Sequence, residues 1–460
     1  MMMKRVLGVA LSISLAAGVF AGCAKKEAAG NDGTVTVTLW TGGSSDFEVR
    51  KAFIDEWNKT TGKKNGVKID YQLKAGDTLT QSLEVALKAG NAPDFFYGGS
   101  MQSYAENGYI AAIEDLKDGD KLIDKLKDKI DDENNKVDGK TYTLPYGTNL
   151  RGIVYNKDMF KKAGIVDEKG EAKPPKTFDE YREYAKKLTD AKNGQYGAVF
   201  AMKWNGWFGS DINTLVQGSA GHTGYNPADG KYEYDAFAKI MQYNIDIYKD
   251  GSVYPDMEGL DNDTARALFA EGKIGMKMAY DFDVGVLNNQ FPAKCDWGVA
   301  PMPVLDENNC YYQRMTYGMS PYINKKSLET KHNAVSLAFA FFMSDEYVEF
   351  LYKSGCKYPL DYSVVENTKL PSDAPKGWRE FGEMLKYSHV NNHEPKYDTT
   401  NLKTIGDRFL EECWTGKKKP QQVTDEFVKD LYAAQAEYYK NNPDESPDIY
   451  IIPDWNINRK

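Results

Sequence analysis

The sequence predicts an α/β protein of two lobes, each a sheet covered by helices. Three observations predict it. Residues 34–116 alternate strand and helix patterns in the order βαβαβα, which implies a parallel sheet with helices packed on it. The chain has 460 residues, enough for two lobes with separate cores. At residues 138–165, two apolar runs are separated by a polar and aromatic break, which suits a chain passing from one lobe to the other.

The chain begins with Lys4 and Arg5, an apolar run at 6–20, and Ala21-Gly22 before Cys23. The apolar run is short for a membrane span and has the build of a signal peptide. The order resembles a bacterial lipobox, with Phe20 where leucine is usual. It implies removal of residues 1–22 and lipidation of Cys23, with an ordinary signal peptide and an incidental cysteine as the alternative. Residues 24–33 are small, polar and aperiodic, so 23–33 reads as a lipidated cysteine and flexible tether. No later run has the length and apolarity of a membrane span, so the protein is expected to be anchored and not spanning. The formal charge of −9 argues against a nucleic-acid partner.

Val35, Val37 and Leu39 alternate with threonines in the first strand, and Trp40 falls at its carboxyl end. The Gly42–Ser45 turn follows, with Ser44 a candidate contact, and Ser45 and Glu48 have capping-box spacing. The second strand covers 67–71. A helix through Leu83 and Leu87 stops at Gly90, and Asp94 to Tyr97 form a third strand before Gly98-Gly99. In open α/β sheets ligands bind beyond the carboxyl ends of the strands. Trp40 and Tyr97 stand at such ends beside glycines, and aromatic rings there suit the CH face of a sugar. Core packing at the strand ends is the alternative.

Residues 138–165 then give a turn at Asp138-Gly139, an apolar-aromatic run to Tyr146, a second run at 153–155 and a short helix ending at Gly164. Tyr146 and Asn149 would lie between the lobes. This stretch, GKTYTLPYG…GIVYNKDMFKKAGI, resembles the crossover of the family 1 extracellular solute-binding proteins, the sugar-capturing components of ABC importers. NAPDFFYGG, GKIGM, WGVAPMP and GKKKPQQVTDEFVKDL resemble further segments of that family, in its order. The resemblance implies a two-lobe periplasmic-binding-protein fold, type II-like, with a multi-strand hinge. It implies crossings near 138–165, 297–303 and 344–359. Lobe 1 is then expected over 34–147 plus 300–350, and lobe 2 over 148–299 plus 351–460. It further implies that Tyr97 and Ser100 line the cleft, that Phe282 covers the sugar, and that Tyr317 and Gly318 approach it.

In the second lobe, Thr177 and Glu180 form a capping box ahead of a helix to Leu188. Trp204, Trp207 and Phe208 cluster among glycines. They are expected either as an aromatic wall of the cleft, contributed by Trp204 or Trp207, or as a loop folded onto the lobe. Asp281 has the lone pairs to accept from paired sugar hydroxyls, or else caps a helix. Val423, Phe427 and Leu431 share a helical face and read as core. Trp378 and Trp414 are expected in packing.

Cys295, Cys310, Cys356 and Cys413 allow three disulfide pairings, with Cys295 and Cys310 placed to close a hairpin. None has zinc-ligand spacing, so no metal and no cofactor is expected. The expected function is an extracytoplasmic lipoprotein that binds a carbohydrate and hands it to an ABC permease, as a monomer and not an enzyme. An exported glycoside hydrolase would need two carboxylates about 5 or 6.5–9.5 Å apart; Asp281 and Asp283 are the only pair to suggest itself. A receptor for an amino acid, peptide or polyamine would need more cleft charge than Asp281 and Arg151 supply.

Overall fold

Val35, Val37 and Leu39 turn inward from the first strand, Val35–Thr41, and the threonines between them turn the other way. The structure, a computed structural model, describes residues 33–459 apart from 43–45, 75–77 and 205. The expected signal peptide, Cys23 and most of the tether lie outside the described residues, as do Ser44 and Ser45.

The first lobe is built on a four-stranded sheet. Val35–Thr41 pairs in parallel with Val67–Leu73 on one side and Phe95–Phe96 on the other, with Val35 opposite Val67 and Leu39 opposite Phe95. A late strand, Tyr322–Ile323, adds antiparallel to Phe95–Phe96. Helix His332–Phe342 packs on this sheet, and its Ala338 and Phe339 share a core with Val37, Ile69 and Ile323. The first helix starts at Phe47 after Asp46, one residue later than a Ser45 cap predicts.

The second lobe has its own four-stranded sheet, in the order Trp297–Ala300, Arg151–Asn156, Ile274–Tyr280, Tyr196–Ala198. The two central strands are buried along their whole length, as expected of strands covered on both faces. The Phe178–Leu188 helix is capped as the sequence predicts: Thr177 accepts from Glu180 N, and the Glu180 carboxylate accepts from Lys176 N. Helix Pro420–Asn441 packs on Asp235–Lys249, burying Val423, Phe427 and Leu431.

Between the lobes lies a three-stranded sheet, Ser388–Val390, Gln313–Met319, Pro145–Asn149. The outgoing strand is Pro145–Asn149 and the returning strand, antiparallel to it, is Gln313–Met319. The third crossing is a single bridge, in which Thr148 N donates to Tyr358 O at 2.9 Å. The return crossing therefore falls later than 297–303. Trp297–Ala300 is an edge strand of the second lobe, and Val304 still pairs with Thr177 there. An apolar run was legible at 297–303, but its partners were not.

All four described cysteines are free. Cys295 and Cys310 close no hairpin, because the strands near them belong to different sheets. The region after Thr400 is less helical than expected: Pro420–Asn441 ends in a short turn and an extended tail. Among the described residues no helix is long and apolar enough to cross a membrane.

Candidate functional site

A cavity of about 530 Å³ opens between the lobes, over the crossing strands. The first lobe supplies Thr41, Asp46, Arg50, Tyr71 and Tyr97. The crossings supply Tyr146, Asn149 and Lys357. The second lobe supplies Asp281, Phe282, Asn289 and the edge of Trp378.

The first wall is organised around Arg50, which is 8% exposed. One helical turn separates it from Asp46, which accepts from Arg50 Nε at 2.6 Å. Arg50 Nη1 donates to the Tyr347 hydroxyl at 3.1 Å, and the guanidinium lies 5.9 Å from the Tyr146 ring centre. Burial raises the phenols of Tyr71 and Tyr97 and pushes that of Tyr347 to about 12, so all three remain hydroxyl donors at neutral pH.

On the second wall Asp281 is 4% exposed and accepts from Phe282 N at 2.9 Å. Burial pushes its carboxyl up to about 6, while Lys357 and the Leu150 and Phe282 amides act in the opposite direction. The cap of the following helical turn is Phe282, so Asp281 is not a helix cap. Phe282 is 46% exposed and stacks on Tyr280 with ring centres 4.8 Å apart. Trp378 is buried by a stack on Tyr358 at 4.0 Å and by its Nε1 donating to Tyr352 O, with one edge left in the cavity.

Of the residues proposed from sequence, Tyr97, Tyr146, Asn149, Asp281 and Phe282 come together here. Ser44 lies outside the described residues, and the others do not line this cavity. Trp40 shares strand parity with Thr36 and Thr38, so it faces the side of the sheet opposite Val37, packed towards Leu79, Leu83 and Leu87, with Lys74 Nζ 4.3 Å from its ring centre. Ser100 caps the Met101–Glu106 helix, accepting from Ser103 N. Gly98 and Gly99 adopt φ of 97° and 81°, so the pair serves the turn between strand and helix. Trp207, 3% exposed, packs between Phe200 and Phe409, because its helical turn directs it into the core. Trp204 meets Tyr280 edge-on and is partly buried behind it. Tyr317 is half-buried against the second lobe, and Gly318 lies beside the Lys357 side chain.

Sequence reasoning missed Asp46, Arg50, Tyr71 and Lys357. Tyr71 was within reach, since the second strand as read from the sequence, 67–71, ends on it just as Trp40 and Tyr97 were read at the ends of their own. Asp283, the second acid of the hydrolase alternative, is absent from the cavity lining: it pairs with Arg266 and accepts from Tyr280 N at 3.1 Å. Among the described residues no group of three metal-ligating side chains converges.

The sequence model of the bacterial extracellular solute-binding proteins matches residues 42–349. The chain belongs to that family. This solute-binding protein is 28% identical to the maltotriose-binding protein of Pyrococcus abyssi over 322 residues, 69% of this chain and 65% of that protein, just under two thirds of its length. It is 23% identical to the galactooligosaccharide-binding protein of Bacillus subtilis over 376 residues, 79% of this chain and 82% of that protein. Among solved structures it is similar to the GacH receptor of Streptomyces glaucescens, with a TM-score of 0.63 at 18% identity, covering 90% of this chain and all of that one. The structural likeness establishes the two-lobe fold.

Proposed function

We propose that this solute-binding protein captures a carbohydrate in the interlobe cavity and delivers it to the permease of an ABC importer. The observation that carries the reading is the composition of the cavity. Phenol hydroxyls, Asn149, Asp281 and Lys357 stand beside the rings of Tyr97 and Phe282 and the edge of Trp378. Hydroxyls and CH faces alternate around a pyranose ring, and this lining matches both. Relatives named for maltotriose and galactooligosaccharide support the same class. Contacts drawn from both lobes favour the closed arrangement once a sugar is bound, the form a permease would recognise. The sequence before residue 34 supports a lipid anchor on Cys23, at the outer face of the cell membrane, and nothing in the proposal requires bond cleavage.

The test is a thermal-shift screen of the soluble protein from about Lys25 onward against mono- and oligosaccharides, amino acids and polyamines. A ligand at a hundred times its Kd stabilises the native state by about 2.7 kcal/mol. A shift with one sugar class, and recovery of that sugar uncleaved, supports the reading. A shift only with an amino acid or polyamine overturns the ligand class, and a cleaved sugar overturns the binding-only role. Radiolabelled palmitate incorporation that survives Cys23→Ala would overturn the anchor.

A further inference from the structure

Lys357 reaches the cavity by an unusual route. It lies on the third crossing, between Cys356 against the first-lobe core and Tyr358 within a second-lobe core. Its side chain runs over Gly147 and Gly318, which face each other across the other two crossing strands. A Cβ on Gly147 would stand 2.7 Å from Lys357 Cγ. A Cβ on Gly318 would stand 2.7 Å from Cε and 3.0 Å from Nζ. Any larger residue at either position would occupy the path of the lysine. Two glycines from strands far apart in sequence thus form a slot that aims one ammonium at the cavity floor.

The ammonium arrives with donor capacity to spare. Nζ donates to Asn149 Oδ1 at 2.5 Å, which uses one of its three protons. No ion pair joins Lys357 to a carboxylate among the described residues, although Asp281 lines the same cavity and feels its charge. Asp281 is held by backbone amides alone and keeps lone pairs free. An oriented cation and an oriented anion therefore share one cavity without touching.

We propose that Lys357 and Asp281 act together as a donor and acceptor for two adjacent hydroxyls of the ligand, and that Gly147 and Gly318 set the position of the lysine. This rests on the carbohydrate reading above and narrows it to ligands that present a free vicinal diol. One hydroxyl accepts from the ammonium and its neighbour donates to the carboxylate. An analogue lacking either hydroxyl leaves a buried charge unpaired, and a site built to bond a hydroxyl rejects such an analogue strongly.

The experiment is calorimetric titration with the sugar found by the screen, together with its singly deoxygenated and O-methylated analogues. Blocking one of two neighbouring hydroxyls is expected to weaken binding to the wild-type protein by about 100-fold or more. Lys357→Met is expected to lose about as much affinity. Gly318→Ala, which meets the far end of the lysine, is expected to lose about tenfold, and nothing further in the Lys357→Met background. Wild-type protein that binds no sugar overturns the carbohydrate reading and this pair with it. Wild-type protein that binds sugar while Lys357→Met binds within about threefold overturns the pair alone. So does tolerance of every deoxy analogue, a measurement that needs no variant to fold.

Discussion

Lys331 Nζ lies 3.1 Å from each carboxylate oxygen of Asp94, and the same ammonium donates to Thr36 O at 2.8 Å. Asp94 also accepts from Thr38 N at 2.7 Å, and its backbone oxygen accepts from Asn324 N. This one acid, 4% exposed, links the central strand, the late strand and the helix that covers them. Its position before the Phe95–Phe96 strand serves construction of the sheet: its oxygens are taken up by Lys331 and Thr38, and it is absent from the cavity lining. Asp94→Asn is expected to lower stability by about 2–3 kcal/mol, the worth of hydrogen bonds to a charged group. Denaturant unfolding with unchanged slope, and unchanged sugar affinity in the folded fraction, are the readouts.

Trp207 and Phe282 separate packing from binding. Trp207→Ala removes a ring from the core and is expected to lower stability by about 3–5 kcal/mol, with sugar affinity per folded molecule preserved. Phe282→Ala, nearly half exposed in the cavity, is expected to do the reverse. Parallel thermal unfolding and titration distinguish them, and exchanged phenotypes would overturn both placements.

Asp281 is expected to give sugar binding a pH dependence. Its folded carboxyl is held at about 6, above the ordinary carboxylate value of roughly 3.9. Between these values the folded protein binds more protons than the unfolded chain. The stability contributed by this group is therefore present at low pH and is lost as pH rises through 6. Relative to Asp281→Asn, the wild-type protein should gain about 2 kcal/mol as pH falls from 7 to 4. Sugar affinity should move the other way, weakening below pH 6 as the acceptor is protonated, and Asp281→Asn should show a weak, flat profile.

His393 joins the lobes on another side of the molecule. Its ring lies 3.2 Å from Asp131 and 2.7 Å from Glu133, both in the first lobe, and hydrogen bonding to these acids raises it to about 10. Stability from this contact is present below the unfolded value near 6.5 and is lost as pH rises through 10. The groups are about a third exposed, so His393→Gln should cost only about 1 kcal/mol at pH 6. That difference should vanish above pH 10 and shrink in high salt.

The free thiols are countable. A soluble form beginning at residue 33 should titrate four thiols in denaturant without reductant. In the native state Cys356, lining the cavity and pushed to about 12 by burial, should alkylate slowly, and more slowly with sugar bound.

Strand and helix patterns were legible because local periodicity carries them. The three parallel strands of the first lobe, the Thr177 cap and the Val423 face follow from spacing alone. The return crossing was misplaced because Trp297 to Pro303 shows an apolar run, and the run does not name its partners. Tyr146 and Asn149 were found because a polar break interrupts apolar runs there. Trp40 was misread through parity: a strand end faces the crevice, but alternate side chains at that end face the two sides of the sheet. Lys357 had no local signal at all. Its role appears only when Gly147 and Gly318, distant in sequence, are brought under it.

The late strand Tyr322–Ile323 and the helix after it carry a consequence for biogenesis. Val37, among the first core residues made, is sealed by Ala338 and Phe339, so the first lobe depends on contacts spanning roughly three hundred residues and is expected to close slowly. The ribosome has produced most of the second lobe before the first can be finished. An early segment kept waiting in this way stays threadable, which suits a polypeptide that must pass through a membrane pore before it folds on the far side.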